Sequence, residues 1–364
     1  MVSQPQEVDL ARIRNLRDFE ALAAERLERS AFDYIAGGAG DERTLVDNVR
    51  AFARYRLRPN VLRDVSMIDA ATSFLGQPVS LPVGTAPMAY QHFAHPEAEA
   101  ATSRAAARSG VLFCLSTMSS RPLEEVAAAA DEAGGGPRWF QLYVHRDRSL
   151  SADLVARAQT AGYSAIALTV DLPVAGLRER DEHNRFAYPQ QFGNFVRPEQ
   201  VAAVVGGFND ASLSWDDLAW LRGLSGLPLV VKGILTGEDG ALAVEHGASG
   251  IVVSNHGGRQ LDRTPASVDV LAEVVDAVDG RAEVYLDGGV CRGVDVLTAL
   301  ALGARGVFVG RPLAYALAVG GEAGVARALE LMGAELRTDM ALLGVTRVED
   351  IGRDHVRHAG RAGP

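Results

Sequence analysis

The chain has 364 residues, 48% of them hydrophobic, and a formal net charge of −10 at neutral pH. It can therefore bury a large core, and its overall balance speaks against a nucleic-acid or other polyanionic partner. Two cysteines, Cys114 and Cys291, are too few for a disulfide scaffold. The opening MVSQPQEVDLARIRNL has no apolar stretch of the signal-peptide kind. No uncharged run reaches the ~18 residues that suggest a spanning helix. The expectation is a cytoplasmic protein with no membrane partner.

In chain order, residues 1–60 hold a helical stretch followed by FDYIAGGAGDERTL. Eight apolar runs of strand character then follow: PVGTAP (82–87), VLFCLS (111–116), RWFQLY (138–143), the run within AGYSAIALTVD (161–171), PLVVKG (228–233), the run within HGASGIVVSNH (246–256), EVYLDGG (283–289) and the run within LGARGVFVGRP (302–312). Continuous apolar runs suit strands buried on both faces, as in a parallel sheet. Helical patterns lie between them, at 97–110, 149–162, 237–247 and 293–303. Eight alternations of strand and helix suggest a single (β/α)8 barrel spanning 1–364. The rival is an open doubly wound sheet. The barrel is preferred because polar residues follow so many strands, where they would ring one mouth. Residues 174–214 interrupt the repeat after the fourth strand, and a loop of that length is expected to be an active-site lid.

The strand ends carry the chemistry-bearing residues, where a barrel places its active site. They are Pro87, Met88 and Ala89 after strand one, Ser116 after strand two, Gln141 and Tyr143 after strand three, and Thr169 and Asp171 after strand four. Lys232 ends strand five, Ser254 and His256 follow strand six, Asp287 to Gly289 follow strand seven, and Gly310 and Arg311 follow strand eight. A lysine ending LPLVVK is hard to explain by packing. The stretch SNHGGRQLD (254–262) puts a histidine, two glycines and an arginine together straight after an apolar run. Glycines and Arg311 after strands seven and eight fit a phosphate site, because backbone N–H groups can approach an anion closely there and arginine binds it bidentately.

From about Ala31 to Gly344 the chain resembles the FMN-dependent 2-hydroxy-acid oxidases and dehydrogenases. SNHGGRQLD is the most specific signature, and FQLYV, ALTVDLP, LVVKG, LDGG and GVFVGRP agree with it in order and spacing. The resemblance implies FMN as cofactor, a 2-hydroxy acid as substrate, preference for the S enantiomer, and a homotetramer. It implies His256 as catalytic base and Asp171 as the carboxylate that orients it and stabilises its protonated form. Arg259 and Arg178 would bind the substrate carboxylate, Tyr34 and Tyr143 would contact substrate, and Lys232 would lie beside the flavin. Pro87, Met88, Ala89, Ser116, Gln141, Thr169, Ser254, Asp287, Gly289, Gly310 and Arg311 match positions around the FMN. Dioxygen is the expected electron acceptor. A quinone or protein acceptor, and a non-catalytic flavin-binding barrel, are the alternatives.

Two departures matter. Cys291 stands where the family has an arginine near FMN, and the adjacent Arg292 is expected to compensate. Met88 and Met118 stand where glycolate oxidase has threonine and tryptophan lining the substrate pocket. Methionine adapts its shape, so the expected substrate is bulky or aromatic, resembling mandelate. His92 and His95 form no recognisable metal-ligand spacing with cysteine or further histidine, so no metal site is expected.

Overall fold

The computed structural model describes residues 8–189, 192–195, 200–201 and 209–360. The eight apolar runs form eight parallel strands: β1 (Val83–Thr85), β2 (Leu112–Leu115), β3 (Arg138–Leu142), β4 (Ala165–Thr169), β5 (Leu229–Ile234), β6 (Gly250–Val253), β7 (Glu283–Asp287) and β8 (Gly306–Val309). Each pairs with the next, and β8 closes on β1 through Val307 opposite Val83 and Val309 opposite Thr85, giving a closed barrel. Among their residues only Gly233 and Glu283 are less than fully buried, which is why these strands read as continuous apolar runs rather than alternating ones.

One correction concerns β5. The sequence reading ended this strand at Lys232, whereas the strand runs on to Ile234 through a register shift between Lys232 and Ile234. Gly233 makes the irregularity possible with φ +113°, and a Cβ there would lie 2.7 Å from Asp171 Cβ. The bulge thus lets β5 pass close beneath Asp171.

The N-terminal end of the barrel is plugged. A hairpin, Thr72–Phe74 paired with Gln77–Val79, inserts Phe74 among Trp139, Tyr285 and Phe308. A Cβ on Gly306 would lie 2.3 Å from the Phe74 ring, so only glycine admits this plug. The packed bottom leaves the opposite mouth as the place for a ligand.

The N-terminal segment and the last helical stretch shape that mouth. Helix Leu16–Arg26, capped by Asn15 and Asp18, packs along the stretch Arg311–Leu343, which breaks at Gly320 and Gly321. Helix Arg29–Ala36 brings Tyr34 over the barrel, and helix Arg43–Ala51 is tied to the loop after β6 by a double amide bond between Asn48 and Asn255, 2.8 Å each way. The segment expected to be a lid contains a short helix, Glu179–His183. Buried Asp33 accepts from Asn184 at 2.9 Å and from Arg180 at 3.4 Å, while Arg180 also pairs with Glu42 at 2.5 Å. This segment is therefore tied to the helix that carries Tyr34. The rest of the expected lid, residues 190–191, 196–199 and 202–208, lies outside the described residues.

Candidate active site

A cavity of about 670 Å³ opens at the C-terminal mouth of the barrel, within the range of small-molecule and cofactor sites. Residues in or after all eight strands contribute to it or lie beside the residues that do. At its centre is His256, whose backbone is left-handed at φ +58°. A non-glycine residue held there is strained, and such strain gathers at functional positions. The loop that holds it is fixed by Asn255, which accepts from the Gly258 N–H at 3.1 Å and donates to the Pro265 carbonyl at 3.0 Å.

His256 Nδ1 lies 2.9 Å from Asp171 Oδ1. A proton on Nδ1 donated to this carboxylate leaves Nε2 as the basic atom facing the cavity, with the Tyr143 hydroxyl 3.4 Å away. Burial holds the His256 pKa below the ordinary histidine value; Lys232 and Arg178 push the same way and Asp171 opposes them. Burial alone would raise Asp171, but the charges of His256 and Lys232 and the His256 hydrogen bond bring it below the ordinary carboxylate value. The pair is thus a neutral imidazole beside an ionised carboxylate. Lys232 donates to Ser254 Oγ at 2.8 Å and lies 3.1 Å from Asp287, and Ser254 Oγ also accepts from the His256 N–H at 3.1 Å. Burial works against the Lys232 charge, yet Asp287 and Asp171 raise its pKa overall.

Arg178 and Arg259 both line this cavity. Neither forms an ion pair among the described residues, and Arg178 Nε is sealed without a hydrogen-bond partner. Arg259 Nη1 donates to the carbonyls of Tyr34 at 2.7 Å and Gly37 at 3.0 Å, and its guanidinium lies 5.0 Å from the Tyr34 ring. Burial, with Arg178 adding to it, brings the Arg259 pKa down to about 10, so it remains charged at neutral pH. Two half-buried cations beside a base suit an anionic ligand.

Near the strand ends, several buried polar atoms lack a partner. Gln141 Oε1 accepts from the Thr117 N–H at 3.2 Å and from Ser116 at 3.3 Å, leaving Gln141 Nε2 buried without a partner. Thr169 Oγ1 and Asp287 Oδ1 are likewise buried and unpartnered. On the side of β7 and β8, Gly288 and Gly289 adopt φ +93° and +82°, and a Cβ on Gly289 would meet the Asn48 carbonyl at 2.1 Å. Arg311 reaches across to the carbonyls of Ile35, Gly37 and Gly257 at 2.7–3.0 Å. A Cβ on Gly257 would lie 2.7 Å from that guanidinium, so glycine is needed for this approach.

Residues 23–358 match the profile of the FMN-dependent dehydrogenase family. The chain belongs to that family. It is 50% identical over 350 residues to an L-lactate oxidase of Nostoc sp., covering 93% of this chain and 96% of that one. It is 48% identical over 356 residues to glycolate oxidase of Spinacia oleracea, covering 94% and 95%. Among solved structures, mandelate oxidase with (S)-4-hydroxymandelic acid superimposes with a TM-score of 0.88 at 43% identity, covering 95% of this chain and 98% of that one. The chain is thus an FMN-dependent enzyme of the 2-hydroxy-acid oxidase family, built on the barrel that its sequence implied.

The residues fit that cofactor. The unpartnered atoms Gln141 Nε2, Thr169 Oγ1 and Asp287 Oδ1 offer donors and acceptors for a polar ring edge, with Lys232 paired to the other Asp287 oxygen. Pro87, Met88, Ala89 and Ser116 line the same wall, and Gly289, Gly310 and Arg311 line the far end. Arg292 does not join them. Its guanidinium is paired with Glu335, through Nε at 2.9 Å and Nη2 at 2.8 Å, and it does not line the cavity. The correction has a simple cause: Arg292 is the residue just before helix Gly293–Ala301, and its extended backbone directs the side chain outward toward the helix Arg311–Leu343. Cys291, by contrast, lines the cavity, and burial pushes its thiol up to about 12, so it stays neutral.

The sequence reading brought Met88, Met118, Tyr34 and Tyr143 to this cavity, and all four line it. It missed Tyr90, Tyr188 and Phe192, which also line it. Tyr90 lies in APMAYQHF, immediately beyond residues that the reading did select, and Tyr188 and Phe192 lie in the lid segment whose aromatics looked scattered.

Proposed function

We propose that the chain oxidises an (S)-2-hydroxy acid with a bulky or aromatic substituent to the 2-oxo acid, with dioxygen as terminal electron acceptor and hydrogen peroxide as by-product. The observation that carries this reading is the largely buried His256–Asp171 pair in one cavity with two arginines that form no ion pair among the described residues. Arg259 and Arg178 hold the substrate carboxylate; a planar guanidinium can do so at two points. His256 Nε2 takes a proton from the substrate, and Asp171 stabilises the imidazolium as it forms, help typically worth roughly 10²–10⁴ in rate. The Tyr143 hydroxyl, within reach of Nε2, orients the reacting hydroxyl together with Tyr34. FMN, when bound, supplies the two-electron acceptor. Lys232 provides a buried cation where negative charge arrives, the place where a fixed charge acts most strongly.

A bulky substituent is supported by the apolar wall of Met88, Met118, Tyr90 and Phe192, and by the likeness to a mandelate oxidase solved with (S)-4-hydroxymandelic acid. The 50% identity to an L-lactate oxidase favours a second reading, a small 2-hydroxy acid of lactate size. The resemblance carries with it a homotetrameric enzyme, and the cytoplasm is the proposed compartment. Oxygen uptake and peroxide formation, measured with lactate, glycolate, mandelate and phenyllactate as sole substrates, test the reading. Peroxide in step with oxygen, with the highest kcat/KM for an aromatic acid, supports it. Turnover only with an added quinone or dye rejects oxygen as acceptor, and a preference for lactate selects the second reading.

A further inference from the structure

Glu99 is fully buried and has no cationic partner among the described residues. Its Oε1 accepts from the Gln91 N–H at 3.0 Å, the Ser120 N–H at 2.9 Å and the Ser120 hydroxyl at 3.2 Å, while its Oε2 is sealed without a partner. Burial pushes its carboxyl above the ordinary value. A carboxyl hidden this way is costly, and the three donors show what it does. Gln91 belongs to the loop after β1 and Ser120 to the loop after β2, so Glu99 staples the two loops together. The first carries Met88 and Tyr90, and the second carries Met118. Two more bonds join them: the Tyr90 N–H donates to the Met118 carbonyl at 3.1 Å, and the His92 N–H to Ser120 Oγ at 3.2 Å.

A third strand of chain is fastened to the same place. Buried Asn194 donates to the Thr117 carbonyl and to Ser119 Oγ, both at 3.0 Å, and accepts from the Leu123 N–H at 2.9 Å. This anchors Phe192 with its ring 6.1 Å from that of Tyr90. Tyr90 also meets Tyr34 at 6.1 Å and Tyr188 at 6.3 Å. Its backbone is left-handed at φ +54°, a conformation that a bulky side chain adopts only when its surroundings impose it. A ring that served only as core filling would not need that backbone. Here the strain turns Tyr90 into the cavity wall shared with Met88 and Met118.

We propose that Tyr90 is a specificity-determining residue, setting which substituent the 2-hydroxy acid carries, and that Glu99 is the residue that positions it. The inference rests on the 2-hydroxy-acid reading but not on which acid is preferred. Its test is the ratio of kcat/KM for mandelate to that for lactate, measured on the FMN-loaded enzyme together with flavin content and thermal midpoint. Tyr90→Ala changes the ratio by about tenfold or more, the scale of one lost aromatic contact, and Tyr90→Leu changes it by less. Glu99→Gln keeps an acceptor oxygen and keeps the ratio. Glu99→Ala moves the ratio in the same direction as Tyr90→Ala, and the double variant shows no added shift, because the two act as one unit. An unchanged ratio in Tyr90→Ala overturns the proposal, as does an equal loss for both acids in Glu99→Ala. Should Glu99→Ala fail to fold, Tyr90→Ala and Glu99→Gln decide. Wild-type enzyme that oxidises neither acid overturns the underlying reading as well, whereas a wild-type that oxidises one, with no shift in Tyr90→Ala, overturns only this inference.

Discussion

Replacing Asp171 by Asn removes a charge and almost nothing else. The side chain keeps its shape, so the close packing of Asp171 over Gly233 survives, and an amide oxygen can still accept from Nδ1. What is lost is the interaction between an anion and a developing cation across 2.9 Å, with the two side chains only 13% and 18% exposed. Unit charges about 4 Å apart interact by roughly 4 kcal/mol at a near-surface effective dielectric, and a hydrogen bond to a charged group contributes roughly 1.5–3 kcal/mol net. The neutral bond that remains recovers part of this, leaving a loss of about 2–3 kcal/mol in the step that charges His256. At about 1.36 kcal/mol per decade, the step slows roughly 30- to 150-fold. Anaerobic rapid mixing of the FMN-loaded enzyme with substrate measures that step as the first-order loss of flavin absorbance at saturating acid. Raising the pH does not restore the rate, because losing Asp171 lowers the His256 pKa further. A saturating rate within threefold of wild type would refute the role given to this carboxylate.

Other outcomes follow from the same geometry. His256 acts when neutral and is held below its ordinary pKa of about 6.5, chiefly by burial; kcat/KM therefore falls only as pH drops through a value below 6.5 and is flat on this limb at neutral pH, as a pH–rate profile will show. Arg259→Lys replaces a fork bonded to two carbonyls and lying over Tyr34 with a point charge, and steady-state kinetics should show kcat/KM lowered by about 10- to 100-fold. Met118→Trp fills the apolar wall and moves preference toward small acids, by about the 5- to 150-fold that roughly 1–3 kcal/mol of overpacking represents. Gly289→Ala places a Cβ against the Asn48 carbonyl in left-handed backbone, and the expected loss of a few kcal/mol appears as a lower thermal midpoint and lower FMN content.

The barrel was legible because its strands are buried on both faces and therefore apolar without interruption, as in GIVV and GVFV. The base was legible because a loop signature encloses it: His256, Gly257, Gly258 and Arg259 are close in sequence, and their spacing survives folding. Tyr90, Phe192 and Tyr188 were not, because they meet only through long-range tethers such as Asn194 to Thr117 and Glu99 to Ser120. No local pattern announces an aromatic wall assembled from two distant loops. Arg292 misled for the opposite reason. Adjacency to Cys291 suggested a substitute cation, yet a neighbouring position at a helix start points elsewhere, and Glu335, 43 residues away in sequence, captures the side chain. The Phe74 plug was likewise hidden, since its partners Trp139, Tyr285 and Phe308 come from three separate strands.

The central claim is that His256 Nε2 receives the substrate proton. Its most direct test is anaerobic mixing of His256→Ala, loaded with FMN, with the best 2-hydroxy acid. The account predicts a protein that is yellow, binds the acid through Arg259 and Arg178, and loses its flavin absorbance at least about 100-fold more slowly than wild type, the lower end of what a positioned base contributes. A His256→Ala protein that binds FMN and bleaches at a rate near that of wild type would contradict it.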